Sequence, residues 1–303
     1  MRTRRLGDGG PEVSVVGLGT NNFGTRIDYD AARAVVDAAL EQGVTLFDTA
    51  DIYGQGTSED FIGRALEGRR DRVLIATKFG KPMDERPHDS RGSRAYIRWA
   101  VEGSLRRLRT DVIDVYQMHE PDESTPVEDT LAALHELVQE GTVRFIGSSN
   151  YSAAQIEEAD RAAAERDLTR FVSAQNHYSL VERDVEEDVL PACERLGVGM
   201  LPYFPLASGL LTGKYARGVA ATEGRLAGRE IPAARWDRTE ALQRFADERG
   251  VSLLAVAVGG LAAMPAVASV IAGATKPEQV AANVAAGAWE PTPEDLTALR
   301  ALR

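Results

Sequence analysis

The sequence predicts an α/β fold in which eight parallel strands alternate with helices and close into a (β/α)8 TIM barrel. Two observations carry this prediction. Short apolar runs without polar alternation recur along the chain, which is typical of parallel strands that are covered on both faces. A longer stretch with helical spacing, bounded by capping residues or glycine, separates most of these runs. Eight such units in 303 residues fit a barrel, with an open doubly wound sheet as the alternative.

The elements follow in chain order from these signals. Glycines within residues 6–11 predict a turn between two short extended pieces, which form an N-terminal β-hairpin. Asp30 is the predicted N-cap of the first helix, and Gly43 is its predicted end. The other predicted N-caps are Ser58, Ser93 and Ser152. The predicted strands are residues 13–19, 44–48, 73–77, 112–118, 143–148, 171–175, 198–203 and 268–272. The predicted helices are residues 31–42, 58–66, 93–108, 126–140, 152–166, 185–196, 239–250, 251–263 and 276–286, followed by a C-terminal helical tail over 291–303.

The turn after the first barrel strand argues against the open-sheet alternative. A dinucleotide-binding sheet would have a third glycine and a helix at this point, but Gly19 is followed by Thr20-Asn21-Asn22. Two longer loops, residues 79–92 and 204–238, are predicted to be lids over a site. Since no linker or low-complexity tract interrupts the pattern, we expect one domain over residues 1–303.

Composition limits the classes of function. The chain is 44% hydrophobic and 27% charged with a net charge of −11, so we expect neither nucleic acid nor an anionic membrane as its main partner. Cys193 is the single cysteine, which suits a reducing compartment and predicts a cytoplasmic location. Residues 251–273 are almost free of charge, but Gly259-Gly260 and Pro265 interrupt them. We therefore interpret this stretch as a buried helix, a turn and a strand.

Four polar side chains stand just past three consecutive predicted strands. Asp48, Lys78 and His119 follow strands two, three and four, and Tyr53 lies on the loop after strand two. Singly, each has a plain structural interpretation as a turn residue, a solvated lysine or a structural histidine. Together they lie where a barrel carries its active site, at the carboxyl ends of its strands.

The chemistry that needs these four groups is proton donation to a carbonyl oxygen. A free phenol is a weak acid at neutral pH, and a nearby ammonium lowers its pKa. A buried lysine in turn needs a carboxylate to stay charged, and an imidazole can orient the carbonyl. This predicts Tyr53 as the acid, Lys78 as its tuner, Asp48 as the partner of the lysine and His119 as the orienting group. A metal site is not predicted, because His88, His135 and His177 show no ligand spacing.

No side chain supplies a hydride, so the same site requires a cofactor. Polar groups after the later strands suit one. Residues 148–150 and 175–176 carry hydroxyls and amides that match a nicotinamide carboxamide, although Asn150 and Ser152 could equally cap a helix. Tyr203 offers a flat ring for stacking. Residues 273–276 open onto a helix N-terminus, which favours a phosphate group.

Several motifs together resemble the aldo-keto reductase superfamily, in register from about Leu6 to Asn283. Within it, the chain is similar to the bacterial general reductases and to the potassium-channel β-subunit-like branch. The motifs are Gly17-Leu18-Gly19-Thr20, Phe47-Asp48-Thr49-Ala50-Asp51-Ile52-Tyr53-Gly54, Thr77-Lys78, Asp114-Val115-Tyr116-Gln117-Met118-His119, Gly147-Ser148-Ser149-Asn150, Tyr203-Phe204-Pro205-Leu206 and Gly213-Lys214-Tyr215.

The resemblance implies a barrel that binds NADP(H), or less often NAD(H), with Asp48, Tyr53, Lys78 and His119 as the catalytic tetrad. It further implies that Ser149, Asn150 and Gln175 hold the carboxamide and that Tyr203 stacks on the nicotinamide. Leu206, Ser208, Leu211 and Lys214 would line the pyrophosphate, and Gly273, Thr275, Lys276, Gln279 and Asn283 would flank the adenosine end. The remaining expected cofactor contacts are Gly19, Thr20, Asn21, Asp48, Phe204 and Pro205. The expected substrate pocket consists of Asn22, Phe23, Tyr53, Phe79, His119 and Glu120.

Four features depart from the family pattern. Phe204 stands where many members have serine, and Gln279 stands where many NADP-dependent members have arginine, although Lys276 replaces some of that charge. Glu120 follows His119, and a carboxylate close to the imidazole would raise its pKa. The sequence offers no account of Gly259-Gly260.

These observations predict an NADP(H)-dependent oxidoreductase that reduces an aldehyde, ketone or sugar carbonyl. A hydride would move from nicotinamide C4 and a proton from Tyr53. The alternative is a cofactor-bound regulatory or redox-sensing subunit with vestigial turnover. The expected partner is a small-molecule carbonyl or alcohol, and an oligomer is compatible with the sequence but not implied by it.

Overall fold

A computed structural model describes residues 1–83, 90–220, 222 and 224–302 of the chain. Part of the predicted loop over 79–92, including His88, lies outside these residues. So do Ala221 and Glu223 in the predicted 204–238 loop and Arg303 at the end of the predicted tail.

The described strands form a hairpin and a parallel barrel. The hairpin pairs β1 (Thr3–Arg5) with β2 (Glu12–Ser14) in antiparallel fashion. The barrel strands are β3 (Val16–Gly19), β4 (Leu46–Asp48), β5 (Leu74–Phe79), β6 (Ile113–Met118), β7 (Val143–Ser149), β8 (Phe171–Gln175), β9 (Gly199–Met200) and β10 (Val270–Gly273). They hydrogen-bond in the order β10-β3-β4-β5-β6-β7-β8-β9, with every neighbouring pair parallel.

Backbone hydrogen bonds at and beside β9 and β10 close the ring, among them Met200 N to Ala266 O at 2.7 Å. Ala268 N donates to Met200 O at 3.0 Å, and Ile271 N donates to Pro202 O at 3.1 Å. The predicted (β/α)8 barrel with its N-terminal hairpin is thereby confirmed.

The helices fill the crossovers outside the barrel. They are α1 (Tyr29–Glu41), α2 (Thr57–Ala65), α3 (Arg94–Leu108), α4 (Val127–Gln139), α5 (Ala153–Glu165), α6 (Val189–Leu196), α7 (Ala233–Glu248), α8 (Leu253–Ala262), α9 (Pro277–Ala286) and α10 (Pro293–Ala301). Short 3-10 helices lie at Arg70–Arg72, Asp184–Glu186 and Ala207–Thr212. Among the described residues, no helix combines the length and the apolar character needed to cross a membrane.

Two of the predicted N-caps were wrong. The side chain of Asp28, rather than Asp30, accepts the hydrogen bond from Ala31 N that caps α1. Ser58 lies inside the first turn of α2, after Gly56, and its hydroxyl contacts Thr20 and Thr49 in the barrel. It therefore fastens the helix to the sheet instead of capping it. Ser93 and Ser152 cap α3 and α5 as predicted.

Several predicted elements were also too long or began at the wrong residue. The strand predicted over 13–19 is divided, because the side chain of Ser14 pairs with Thr45 and accepts its backbone N–H, so the chain changes direction before β3. The strand predicted over 198–203 shrinks to β9, since Pro202 has no N–H to donate to a ladder. The helix predicted over 185–196 contains a 3-10 turn and then α6. The helix predicted over 239–250 already begins at Ala233, after Pro232.

The core forms two layers, and one of them closes the lower end of the barrel. The inner layer joins apolar residues of the strands to Leu6 and Val13 of the hairpin, and both of these are fully buried. The outer layer lies between the strands and the helices. Since the hairpin covers the amino ends of the strands, the opening of the barrel lies at their carboxyl ends.

The structure explains Gly259, the first residue of the glycine pair that the sequence left unexplained. A Cβ at Gly259 would lie 2.5 Å from the backbone oxygen of Trp289 and 3.1 Å from its ring. A Cβ at Gly260 would meet the methyl ends of Leu299 and Leu180, at 3.3 and 3.4 Å, and the ring of Trp289 at 3.8 Å. Gly259 therefore allows α8 to approach the segment after α9 closely.

This contrast makes a matched pair of variants. We expect Gly259→Ala to destabilise the protein by about 1–3 kcal/mol, because a fixed backbone oxygen must move to admit the methyl group. Gly260→Ala should cost much less, since flexible side chains can yield and alanine favours the helix. Chemical denaturation of both variants measures the difference. Equal stability of the two would contradict the close contact at Gly259.

Candidate active site

A cavity of about 790 Å³ opens at the carboxyl ends of the barrel strands. Each barrel strand ends within three residues of one that lines it. The predicted site residues on its wall are Gly19, Thr20, Asn21, Asn22, Asp48, Tyr53, His119, Ser149, Asn150, Gln175, Tyr203, Phe204, Pro205, Leu206, Ser208, Lys214, Gly273, Thr275, Lys276, Gln279 and Asn283. The lining residues that the sequence analysis missed are Arg26, Lys81, Gly209, Thr212, Gly224, Arg225, Leu254, Ile271 and Ala282.

Lys78 lies beneath the floor of this cavity and is fully buried. Its Nζ donates to both carboxylate oxygens of Asp48, at 2.7 and 2.8 Å, and to Thr49 O at 2.7 Å. The hydroxyl of Tyr53 stands 3.5 Å from the same nitrogen. Gln175 Nε2 holds Asp48 from the far side of the barrel, at 2.8 Å. The ammonium thus joins the carboxylate to the phenol, in the arrangement predicted for them.

Burial and charge act in opposite directions on this pair. Burial alone would lower the pKa of Lys78, but the carboxylate of Asp48 and the hydroxyl of Tyr53 raise it above its ordinary value. Burial raises the pKa of Tyr53, while Lys78 opposes that shift. At neutral pH the lysine is therefore charged and the phenol keeps its proton. The ammonium is placed to stabilise a phenolate once that proton leaves.

His119 directly follows β6 and faces Tyr53, with 6.0 Å between the ring centroids. Burial, Lys78 and Lys81 lower the pKa of its imidazole to about 2, so the ring is neutral at physiological pH. The expectation that Glu120 raises this pKa was wrong. The Glu120 carboxylate turns to Arg91, at 2.7 Å, and to Lys81, at 3.7 Å, and does not line the cavity.

Three other predicted residues do not line the cavity. Phe23 and Phe79 are fully buried, and Phe79 stacks on Tyr116 with a centroid distance of 4.6 Å. Side chains alternate along a strand, so Lys78 and Phe79 at the end of β5 must face opposite sides of the barrel wall. Leu211 is also fully buried, within the Ala207–Thr212 3-10 helix.

The side-chain amide of Asn150 forms hydrogen bonds to other residues of the cavity wall. It accepts a hydrogen bond from the hydroxyl of Tyr203, at 2.8 Å, and donates to His119 O, at 2.9 Å, and to Ser149 Oγ, at 3.1 Å. Asn150 has a positive φ of 60°, a conformation that asparagine tolerates better than most residues. The side chain therefore ties the ring of Tyr203 to the backbone that carries His119.

Five cations line the cavity, although the chain as a whole has a net charge of −11. They are Arg26, Lys81, Lys214, Arg225 and Lys276. Among the described lining residues the sole carboxylate is Asp48, which is already paired with Lys78. Such a surplus of positive charge in a concave site attracts phosphate or carboxylate groups.

Arg225 crosses the opening from the long segment between β9 and α7. Its guanidinium donates to Asn21 Oδ1 at 2.5 Å and to Asn22 Oδ1 at 2.8 Å, and its carbon lies 5.1 Å from the ring centroid of Phe204. A lid was predicted over 204–238 without this arginine, because its hydrogen bonds go to the loop after β3, about 200 residues away in the sequence. At the other rim, Gln279 accepts from the N–H and the hydroxyl of Thr275, at 2.7 and 3.2 Å, beside the N-terminus of α9.

Within the described residues, no three His, Cys, Asp or Glu side chains lie close enough together to hold a metal ion. His135 pairs with Thr169, and His177 stacks on Tyr203.

Another buried carboxyl, Asp51, lies between β4 and α2 and has no side-chain partner among the described residues. Both of its oxygens are buried and accept no hydrogen bond within the described residues, and the hydroxyl of Tyr116 is equally unpaired. Glu59, by contrast, accepts from Thr77 at 2.5 Å and from Arg107 at 2.7 Å. Burial, and after it Glu59, raises the pKa of Asp51 well above its usual range. Asp51 is therefore expected to keep its proton in the folded protein.

The protonated state of Asp51 determines how its contribution to folding stability changes with pH. The folded state holds a proton that the unfolded chain releases above about pH 4, so Asp51 destabilises the fold as pH rises from there. We expect Asp51→Asn to raise the unfolding midpoint at pH 8 by a few degrees, with a smaller gain at pH 5. Asp114→Asn is the matched control. That buried carboxylate pairs with Arg70 and Arg144, so its loss should lower the midpoint at both pH values. A fall for Asp51→Asn at pH 8 would mean that Asp51 is charged.

Known proteins resemble this chain over nearly its whole length. The aldo/keto reductase family matches residues 15–303. A probable voltage-gated potassium channel subunit beta from Oryza sativa subsp. japonica is 36% identical over 299 residues, covering 94% of this chain and 91% of the relative. Its counterpart from Arabidopsis thaliana is 35% identical with the same coverage. The uncharacterized oxidoreductase YrpG of Bacillus subtilis (strain 168) is 39% identical over 298 residues, covering 92% of this chain and 89% of YrpG.

A solved structure agrees with the fold. The aldo-keto reductase AKR11C1 from Bacillus halodurans, in its holo form, superimposes with a TM-score of 0.84 at 34% identity, covering 100% of this chain and 96% of the other. The sequence match over residues 15–303 and this shared barrel show that the chain belongs to the aldo/keto reductase family.

Proposed function

We propose that the protein is an NADP(H)-dependent oxidoreductase that reversibly reduces an aldehyde, ketone or sugar carbonyl to the alcohol. The observation that carries this proposal is the buried ammonium of Lys78, which bridges Asp48 and the protonated phenol of Tyr53 at the floor of the cavity. The membership of the family supports the proposal, as do the oxidoreductase name of YrpG and the holo form of AKR11C1.

The cavity fits a nicotinamide dinucleotide in size and charge. Its volume of about 790 Å³ lies within the range of cofactor sites, and its cations suit phosphate groups. Tyr203, Ser149 and Gln175 would hold the nicotinamide end. Ser208, Lys214 and Arg225 would hold the pyrophosphate, and Lys276, Gln279 and Asn283 the adenosine end. When bound, the cofactor supplies the hydride from its nicotinamide C4.

The side chains of the protein then provide the proton and its control. Tyr53 donates its proton to the carbonyl oxygen, and the resulting phenolate lies beside the Lys78 ammonium. Asp48 keeps that ammonium charged and in place. A neutral His119 can donate one N–H hydrogen bond to the same carbonyl oxygen without adding a second positive charge near Lys78. We expect a single domain over residues 1–303, located in the cytoplasm, to carry out this reaction.

A second candidate is a cofactor-bound regulatory or redox-sensing subunit. The two plant relatives, named as probable voltage-gated potassium channel beta subunits, favour it. The two functions differ in turnover, because a regulatory subunit needs to bind the cofactor but does not need to use it quickly.

Tyr53→Phe tests the role of the phenol. We expect kcat for NADPH-dependent reduction of a panel of aldehydes, diketones and sugars to fall by about 10²–10⁴-fold, the usual contribution of a general acid. The Kd for NADPH should stay within about twofold, since only the hydroxyl is lost. Tyr29→Phe, a ring that packs on Phe61 outside the cavity, is the control. Near-normal turnover in Tyr53→Phe would refute the mechanism, and NADPH binding without turnover in the wild type would favour the regulatory function.

Lys276→Ala tests the choice of cofactor. If Lys276 pairs with the 2′-phosphate of NADPH, its loss should raise the KM for NADPH about 10-fold and leave the KM for NADH nearly unchanged. Lys81→Ala is the matched control, because that cation lies near His119 and should not alter the ratio of the two KM values. A parallel rise for NADPH and NADH would instead place Lys276 against a phosphate that both cofactors share.

A further inference from the structure

Two stacked aromatic rings, Tyr203 and His177, form the wall of the cavity at this point. The imidazole of His177 stacks on the back of the Tyr203 ring, with 5.4 Å between centroids and 11° between planes. Tyr203 lines the cavity, and His177 does not. The backbone creates the stack, because the two residues pair as a parallel bridge just beyond the ends of β8 and β9.

Three further contacts fix the orientation of this ring pair. Phe204 packs edge-on against both rings, at 5.4 Å from Tyr203 and 5.9 Å from His177. The hydroxyl of Tyr203 donates to Asn150 Oδ1 at 2.8 Å. Tyr203 N donates to Asn176 O at 3.1 Å. Tyr203 therefore cannot turn without disturbing His177. A flat group that stacks on the other face of the Tyr203 ring interacts electrostatically with the imidazole whenever that imidazole is protonated.

We propose that His177 is a positioning residue for the nicotinamide ring, acting through Tyr203, and that it must be neutral to favour the oxidised cofactor. This inference rests on the proposed function, which places the nicotinamide against Tyr203. The oxidised ring is cationic and the reduced ring is not. A protonated imidazole behind Tyr203 would repel the oxidised form alone, so His177 makes the preference between NADP⁺ and NADPH depend on pH.

Burial outweighs the charged neighbours of His177 and leaves the imidazole neutral at pH 7. Burial lowers the pKa of the imidazole, and Arg235 on α7 adds to that shift. Glu182 and Asp184, from the segment before α6, act in the opposite direction. Glu182 is itself paired with Arg235 at 2.5 Å, and the two aromatic neighbours, Tyr203 and Phe204, carry no charge at this pH. The net shift is downward, so the ring gains a proton only under acid conditions.

Calorimetric titration of the full chain with NADP⁺ and with NADPH, at pH 8.0, pH 5.8 and pH 5.0, tests the inference without relying on turnover. At pH 8.0 we expect His177→Ala to raise the Kd for both cofactors about 2- to 10-fold, because the backing ring is lost. His177→Phe should bind within about twofold of the wild type, since it restores the stack.

The pH dependence of cofactor binding separates a positioning role of His177 from a merely structural one. As the pH falls from 8.0 to 5.0, the ratio of Kd for NADP⁺ to Kd for NADPH should rise in the wild type, because His177 gains its proton, and should stay constant in His177→Phe. Using the ratio cancels the titration of the 2′-phosphate, which both cofactors carry. His135→Gln, a change to a histidine outside the cavity, should keep the wild-type response.

The outcomes distinguish the role of His177 from the proposed function of the protein. Unchanged affinities in His177→Ala, or the same rise of the ratio in His177→Phe, would overturn the role of His177 and leave the proposed function intact. Failure of the wild type to bind either cofactor would overturn the proposed function itself. If His177→Ala does not fold, the pH dependence of the Kd ratio in the wild type and in His177→Phe still tests the role of His177.

Discussion

The site depends on one buried ammonium. Lys78 has no exposed surface, and a lone charge in that position would be strongly unfavourable. Asp48 and the carbonyl of Thr49 make it acceptable, with N–O distances of 2.7–2.8 Å. These groups come from adjacent strands, β4 and β5, whose register brings Asp48 level with Ala76. The geometry of the site is thus set by the hydrogen-bond ladder of the barrel.

The surrounding groups are arranged so that no second charge competes with this one. His119 is neutral because burial and two lysines disfavour its protonated form. Tyr53 keeps its proton, and the unpaired carboxyl of Asp51 is expected to keep its own. A single ion pair therefore lies in an otherwise neutral floor. The proton transfer that we propose would leave a Tyr53 phenolate beside the Lys78 ammonium in this floor.

The wall and the rim of the cavity have different roles. The wall is built from rings and amides that hold one another, with Asn150 joining Tyr203 to the backbone of His119 and His177 supporting Tyr203 from behind. The rim carries cations from separate loops, among them Arg225, which reaches across to Asn21 and Asn22. The wall suits recognition of a flat ring, and the rim suits recognition of phosphate.

The sequence by itself determined the barrel and the strand after which each polar group falls, and it predicted that Asp48, Tyr53, Lys78 and His119 belong to one site. Local signals suffice for these, because apolar runs, capping residues and strand ends are all features of short segments. Tertiary structure decided what depends on distant partners. Glu120 turned away from His119 toward Arg91, and Phe79 faced the helices because Lys78 faced inward. The cation surplus, the lid contact of Arg225 and the stack of His177 on Tyr203 join residues from separate strands and loops, and no pattern along the chain records which loops meet.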